Sequence, residues 1–372
     1  MATPPTPNPV LSNRVLNRTL LARQHLLERS SRSTDEMCTH LVGLQAQEVR
    51  PPFIGLWSRI AGFDPAAVSA GLDDRSLVRI TLMRGTIHLV TADDAVRIAP
   101  LIQPELEKAP FRKGFFFGAT VGMEREDVRA RAQQLIGDEP ISSSELRKRC
   151  AAEWPDRDPG AVMQALLYLL PVLQTPPRGK WGHNERPRWA RTEAWLGRPL
   201  EDYPVEELLL RYLRAFGPAS TMDMQTWSRL TGLREVIGRL GDRVRSYRDE
   251  RGRVLYDAAD AELADPDLPA PVRYLGVYDN ALLSHQDRAR VATEAATKVP
   301  QSLAYAPSPV LFDGYVAAWY RIDADAANAR LVIRPVGRIS KRGASAIEAE
   351  GRRLLAFLEP GKAPAFELLP TE

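Results

Sequence analysis

The sequence predicts an α+β protein: three tandem winged-helix units followed by a C-terminal mixed α/β module. Three features carry that expectation. A helix–helix–helix–ribbon order occurs three times before residue 264, the texture turns strand-like from about residue 265, and Asp313-Gly314 sits between apolar runs as a hairpin turn. The expected segments are a Pro-stiffened, disordered lead over 1–12, winged helices over 13–120, 121–200 and 201–264, and a β-rich module with its hairpin over 265–372.

In the first unit Val15, Leu16, Leu20, Leu21, Leu26 and Leu27 fall close to a 3.6-residue period and predict a helix over 13–28. Ser33-Thr34 followed by Asp35-Glu36 is an N-cap signature for a second helix. That helix must end before Pro51-Pro52, because the residue preceding a proline is pushed out of the helical region. A third helix is expected over 64–72, then strands over 77–83 and 86–90 around Arg84-Gly85. Helices with a two-stranded ribbon make a winged helix, a relative of the helix-turn-helix used on DNA. The second unit offers helical sequence from 125, a cap over 140–145, helices over 146–154 and 160–170, and strands over 172–175 and 188–192 across the basic loop 178–183. The third offers helices over 206–216, 219–228 and 233–241 and a ribbon over 244–256 with Arg251-Gly252 at its tip. Strands over 272–278, 309–319 and 330–336 and an amphipathic helix over 344–358 complete the chain.

With 372 residues, 44% of them hydrophobic and 26% charged, and a mean hydropathy of −0.28, the chain can bury real cores and is no disordered, collagenous or coiled-coil polypeptide. No window approaches the ~18 uninterrupted apolar residues of a membrane span. Residues 1–9 show neither the basic nor the apolar region of a secretion signal and are expected to form a disordered lead instead, and the two cysteines, Cys38 and Cys150, suit a reducing compartment. A cytoplasmic monomer without membrane contact is expected. Fifty Lys+Arg against 47 Asp+Glu leave a net +3, so an anionic partner must be met by local concentrations of arginine. No GxSxG, Walker A, Rossmann GxGxxG or HExxH occurs, and two lone cysteines with five scattered histidines make no zinc site. Neither metal nor cofactor is expected.

The unusual polar cluster is Leu44-Gln45-Ala46-Gln47-Glu48-Val49-Arg50. On a helix, residues two apart diverge by about 200°, whereas on an extended segment they share a face. Pro51-Pro52 favours the extended form, in which both amides could converge on one point. The alternative is a pair of glutamines that are solvated or cap a helix end.

Three blocks carry a resemblance: Leu41-Val-Gly-Leu-Gln-Ala-Gln47, Thr81-Leu-Met-Arg-Gly-Thr-Ile-His-Leu-Val-Thr-Ala-Asp-Asp94, and Tyr278-Asp-Asn-Ala-Leu-Leu-Ser-His-Gln-Asp-Arg288. They resemble the AlkZ/YcaQ-like winged-helix DNA glycosylases, whose founding member removes azinomycin crosslinks from DNA. The resemblance implies three winged helices in a C-shaped array with DNA in the concave face. It also implies a catalytic glutamine–apolar–glutamine motif at Gln45, Ala46 and Gln47, with Ala46 in a packing role. Some relatives carry Asp in the second motif position; Gln47 places this chain nearer the crosslink-unhooking branch.

Two neutral amides suffice if the leaving group is good. A purine alkylated at N7 is already a cation and departs as a neutral base, so the enzyme has only to hold a water in line and set negative dipoles beside the developing oxocarbenium. Such an enzyme acts on cationic lesions and leaves uncharged bases alone. Glu48 is a rival as general base, but an extended segment turns it to the opposite face, in a solvated or Arg-paired role.

Other candidate contacts follow from charge and position. Arg84 and His88 flank the first ribbon tip and could meet phosphate, with His88 equally able to be an interior histidine. Arg178, Lys180 and Arg186 in the second wing are candidate phosphate contacts on what is otherwise a solvated loop. Ser284, His285 and Arg288 are expected to face the cleft, with Asp287 orienting His285 or pairing with Arg288. The Asp313-Gly314 hairpin, with Phe312, Tyr315 and Trp319 beside it, is expected to probe the groove in place of base extrusion, unless those aromatics are core. No lysine lies near the motif for a Schiff-base step, so the product should be an abasic site. The expected function is a monofunctional DNA glycosylase for bulky N7-alkylpurines in duplex DNA, with interstrand crosslinks in its range, serving self-resistance to a DNA-alkylating natural product such as azinomycin. The alternatives are a winged-helix transcription regulator and a structural DNA binder, neither of which turns over substrate.

Overall fold

A computed structural model describes residues 8–112, 117–297 and 307–371. Among them no helix is long and apolar enough to cross a membrane. The architecture is mixed α/β, with three sheets surrounded by helices. Residues 1–7 of the expected lead lie outside the described residues, but its end is ordered: Val10–Leu11 is a strand that pairs in parallel with Arg248 and Asp249.

The sheet that positions the site has six strands, in the order Leu44–Gln45, Ile87–Thr91, Leu77–Thr81, Val172–Thr175, Arg188–Arg191 and Ile141–Ser142. The first and second ribbons are therefore parts of one sheet, joined where Arg79 pairs with Gln174 and Ile80 with Leu173. A second sheet joins Val10–Leu11 to the hairpin Val244–Asp249 and Val254–Ala258. The third, in the C-terminal part, runs Arg273–Tyr274, Ser308–Phe312, Tyr315–Ala324, Asn328–Pro335 and Ala363–Leu368, its last pair parallel.

Several helices form where local chemistry dictates. Ser33 and Glu36 close a capping box on Thr34–His40, and Ser220 with Asp223 does the same on Thr221–Ser228, each satisfying two orphan N–H groups. Pro51 and Pro52 do end the preceding segment, yet they also open a new helix, Pro51–Arg59, because proline suits the first helical turn. Helix Ala92–Leu106, which the hydrophobic periodicity does not predict, contains Pro100 and Pro104.

One apolar core joins the first helix (Leu20, Leu21), the six-stranded sheet (Val78, Ile80, Val90), helix Val205–Phe216 (Leu208, Leu213, Phe216) and the C-terminal hairpin (Leu311, Trp319). A second packs Met37, Leu41, Leu44 and Phe53 against Leu146, Leu166 and Leu169. Across these cores runs a buried ion pair: Arg59 donates to both carboxylate oxygens of Asp279, at 2.8 and 2.7 Å, and to Gln24 Oε1 at 3.0 Å. It ties helix Pro51–Arg59 to the turn at Asn280–Leu283. Asp279→Ala would strand the guanidinium and should destabilise the fold by about 3–5 kcal/mol, whereas joint replacement by Met and Leu should cost far less. Thermal unfolding of the two variants checks this.

Candidate active site

The glutamine segment lies on the edge of the six-stranded sheet. Leu44 pairs with Leu89 and Gln45 with His88, and the next backbone bond runs from Ala46 N–H to Ile87 C=O at 2.6 Å. The segment is extended, as the adjacent prolines suggested, with Val42 and Gly43 at φ of 52° and 87° turning the chain out of the preceding helix. A side chain at Gly43 would meet Val90 Cγ1 at 2.5 Å, so glycine is required for this approach.

Both glutamines reach the same ribbon. Gln45 is buried, and its Oε1 accepts from an Arg84 guanidinium nitrogen at 2.9 Å; Gln47 is exposed, and its Oε1 accepts from the Ile87 N–H at 3.2 Å. Each carbonyl keeps one lone pair and each amide its NH2 group. Ala46 is fully buried in the second core, a packing residue between two polar ones.

Behind them stand two arginines. Arg84, at φ 58° on the ribbon tip, shares the nitrogen that bonds Gln45 with His88 Nε2 (3.3 Å) and reaches the Trp227 carbonyl at 3.4 Å. His88 is buried and donates from Nδ1 to the Thr86 carbonyl at 2.9 Å, leaving Nε2 as the acceptor. Burial, and then the Arg84 charge, push its pKa down to about 3, so the ring is neutral. The second arginine is Arg79, 1% exposed, which donates to the Ala46 carbonyl at 2.7 Å and to Gln174 Oε1 at 3.3 Å. Burial lowers its pKa to about 9, with Arg178 acting in the same direction and Glu48 against it. A Cβ on Gly179 would lie 2.2 Å from Arg79 Cδ, so the loop of the second unit is shaped around this side chain.

Comparison with known proteins decides what the segment belongs to. The family model described as DNA glycosylase AlkZ-like matches residues 38–357. The chain belongs to the AlkZ-like DNA glycosylases. It is 26% identical over 355 residues, 89% of this chain and 92% of the other, to an "Interstrand DNA cross-link repair glycosylase" of Streptomyces sahachiroi. Its fold is similar to the structure of S. sahachiroi DNA glycosylase AlkZ, with a TM-score of 0.78 at 21% identity over 97% of this chain and all of that one. The chain is thus a glycosylase, and DNA is what it acts on.

The remaining expected contacts of this AlkZ-like enzyme are placed unevenly. Arg84 and His88 are not at a free wing tip: that turn is packed, with the Tyr168 hydroxyl donating to Gly85 C=O at 2.6 Å, and both side chains turn inward to Gln45. In the second loop Arg178 is tied to Asn184 and Glu185, Lys180 is paired with Asp73 at 2.6 Å, and Arg186 is exposed with no hydrogen bond or ion pair among the described residues. Ser284 and His285 are buried and bond each other at 2.8 Å. Asp287 pairs with neither His285 nor Arg288; it caps Ala289 N–H and binds Arg251 and Arg253 of the third-unit hairpin. Arg288 is left exposed and unpaired among the described residues.

The C-terminal hairpin is clamped. Asp313 and Gly314, at φ 46° and 82°, form the expected turn, but its tip lies on the first helix: Asp313 binds Arg14 and Arg18, and Asn17 donates to Gly314 C=O at 2.8 Å. A side chain at Gly314 would collide with Arg18 and Asn17. Trp319 is core, Tyr315 half-buried and Phe312 exposed.

Sequence reasoning missed Arg79 and Arg229. The latter is exposed and unpaired among the described residues, ends helix Thr221–Ser228 in a left-handed conformation, and lies close enough to help lower the Arg84 pKa. Arg79→Met leaves the buried Ala46 carbonyl and Gln174 Oε1 without their donor, so it should cost about 1–3 kcal/mol of stability and, at a temperature where the variant is folded, slow single-turnover base excision by about tenfold or more, as expected when a supporting contact misplaces reacting groups. The neutral, buried His88 makes a second prediction. Its folded pKa lies below the unfolded value near 6.5, so the unfolded chain binds the extra proton and stability falls as pH drops from about 6.5 toward 3. A thermal-melt series on wild type and His88→Gln should show a shallower acid decline in the variant.

Proposed function

We propose that this glycosylase hydrolyses the N-glycosidic bond of bulky, cationic N7-alkylpurines in duplex DNA, interstrand crosslinks included. The observation that carries the reading is the pair of amides on one edge strand, held by Arg84 and by a backbone N–H, with no carboxylate hydrogen-bonded to either among the described residues. Neutral dipoles can hold a water and favour a growing positive charge; they cannot protonate a leaving group. The chemistry therefore matches a base that leaves without protonation. Gln47, exposed, is the residue that orients the water, and Gln45, fixed by Arg84, lends the second dipole at the sugar. The name of the S. sahachiroi relative supports crosslinks as substrates.

Duplex DNA in this reading lies against three winged-helix units in a C-shaped array, divided near residues 120, 200 and 264. The recurring helix-and-ribbon order supports the units, although the first two share a sheet. Arg186, Arg229 and Arg288 are among the exposed cations free to meet phosphates. The enzyme acts as a cytoplasmic monomer without metal or cofactor, in self-resistance to an alkylating natural product. Family membership disfavours a non-catalytic transcription regulator.

Single-turnover assays on a duplex with one defined N7-alkylguanine test this. Wild type should release the adduct and leave an abasic site; Gln47→Ala should lose about 100-fold in rate. Glu48→Gln should lose less than Gln47→Ala, and the opposite order would hand the base role to Glu48. Release of uracil or hypoxanthine at comparable rates would contradict the reading.

A further inference from the structure

The tip of the first ribbon and the end of a distant helix bring two arginines together beside the motif. Helix Thr221–Ser228 packs against the turn Met83–Gly85, and its end is bonded there: an Arg84 nitrogen donates to the Trp227 carbonyl at 3.4 Å. Arg229 follows two residues after that carbonyl. Both arginines lie in the left-handed backbone region, at φ 58° and 69°, which disfavours a residue with a Cβ. The fold therefore places two long cationic side chains at positions that strain the chain.

Neither arginine meets a carboxylate among the described residues. The Arg84 guanidinium bonds three neutral acceptors: Gln45 Oε1 at 2.9 Å, His88 Nε2 at 3.3 Å and the Trp227 carbonyl. Its Nε–H and one Nη1 hydrogen stay uncommitted among the described residues, and its surface is partly exposed. Arg229 is exposed and bonds nothing among them. By contrast Arg23, Arg59 and Arg211 each meet a carboxylate, on Asp257, Asp279 and Asp94. Through the Trp227 carbonyl Arg84 already answers the partial negative charge of the helix end, so Arg229 adds surplus positive charge at the same place. Burial, and then the Arg229 charge, lower the Arg84 pKa to about 10: the two guanidiniums repel. An anion between them removes that repulsion, and the guanidinium fork matches the oxygens of a phosphate.

We propose that Arg84 and Arg229 together bind one backbone phosphodiester of the damaged strand, and that filling this site steadies the guanidinium that holds Gln45. Arg84 is then a positioning residue whose grip on the motif depends on DNA. The inference rests on the placing of Gln45 at the sugar in the reading above, and adds the route by which engagement of the backbone reaches that amide.

The test replaces one phosphodiester at a time around an N7-methylguanine with an uncharged methylphosphonate. Duplex binding and single-turnover excision are measured with full-length wild type, Arg229→Gln and Arg229→Lys. At one linkage the replacement should cost wild type about tenfold in affinity and also slow excision at saturating enzyme. Arg229→Gln should show the affinity loss on the all-phosphate duplex, be indifferent to replacement at that linkage, and keep its melting temperature. Its slope of log affinity against log salt should fall by about one. Arg229→Lys, which keeps the charge, should retain most of the sensitivity. Penalties of the methylphosphonate and of Arg229→Gln that multiply independently at every linkage would overturn the proposal. So would a loss confined to affinity, with the saturated rate intact, because Arg84 would then lie outside the site. If the all-phosphate duplex is not excised, the lesion reading fails while the binding cycle still decides the phosphate site. Excision with independent penalties refutes the site and spares that reading.

Discussion

The site depends on a short piece of β-ladder. Two paired positions, Leu44 with Leu89 and Gln45 with His88, together with the Ala46–Ile87 backbone bond, keep the glutamine segment extended on the rim of a sheet. An extended backbone is what lets residues two apart address the same neighbour. Had the preceding helix run on through Gln47, the two amides would have diverged. The turn at Val42 and Gly43 and the prolines at 51 and 52 bracket the segment and leave the strand as the remaining conformation.

Around that strand no carboxylate is hydrogen-bonded to either glutamine among the described residues. Two largely buried guanidiniums supply fixed donors, Arg84 to the Gln45 carbonyl and Arg79 to the carbonyl of the intervening alanine. The histidine beside them is kept neutral by burial and by Arg84. Burying guanidinium groups without a bonded carboxylate is expensive, and the fold bears that cost at the residues that fix the motif. By contrast Arg59, whose role is to join segments, is neutralised by Asp279 at full hydrogen-bonding distance. The comparison separates cations that hold the architecture from cations that hold the motif.

The sequence made the local features legible: the capping box at Ser33, the three helices of the third unit, the Asp313-Gly314 turn and the extended glutamine segment. Helix Ala92–Leu106 was hidden by Pro100 and Pro104, which read as breakers. Helix Pro51–Arg59 was hidden because a proline pair both stops one segment and opens the first turn of the next. Partners far apart in the chain were not legible at all. Asp287 finds Arg251 and Arg253 through the third-unit hairpin, and the hairpin turn at 313 docks on a helix almost 300 residues earlier, which no local pattern encodes. A ribbon-tip position predicts an outward-reaching Arg84; Tyr168 and the Trp227 carbonyl cover that tip, and the side chain turns toward Gln45.

The central claim is that two uncharged side chains carry the chemistry, so no group in the site should have to gain or lose a proton for the bond to break. The direct measurement is the pH dependence of the single-turnover rate on an N7-alkylguanine duplex between pH 5.5 and 8, at a temperature where the fold is intact throughout. A level profile is the outcome this account requires. A tenfold change per pH unit on either side of an apparent pKa in that window would show a titrating acid or base at work and would contradict it.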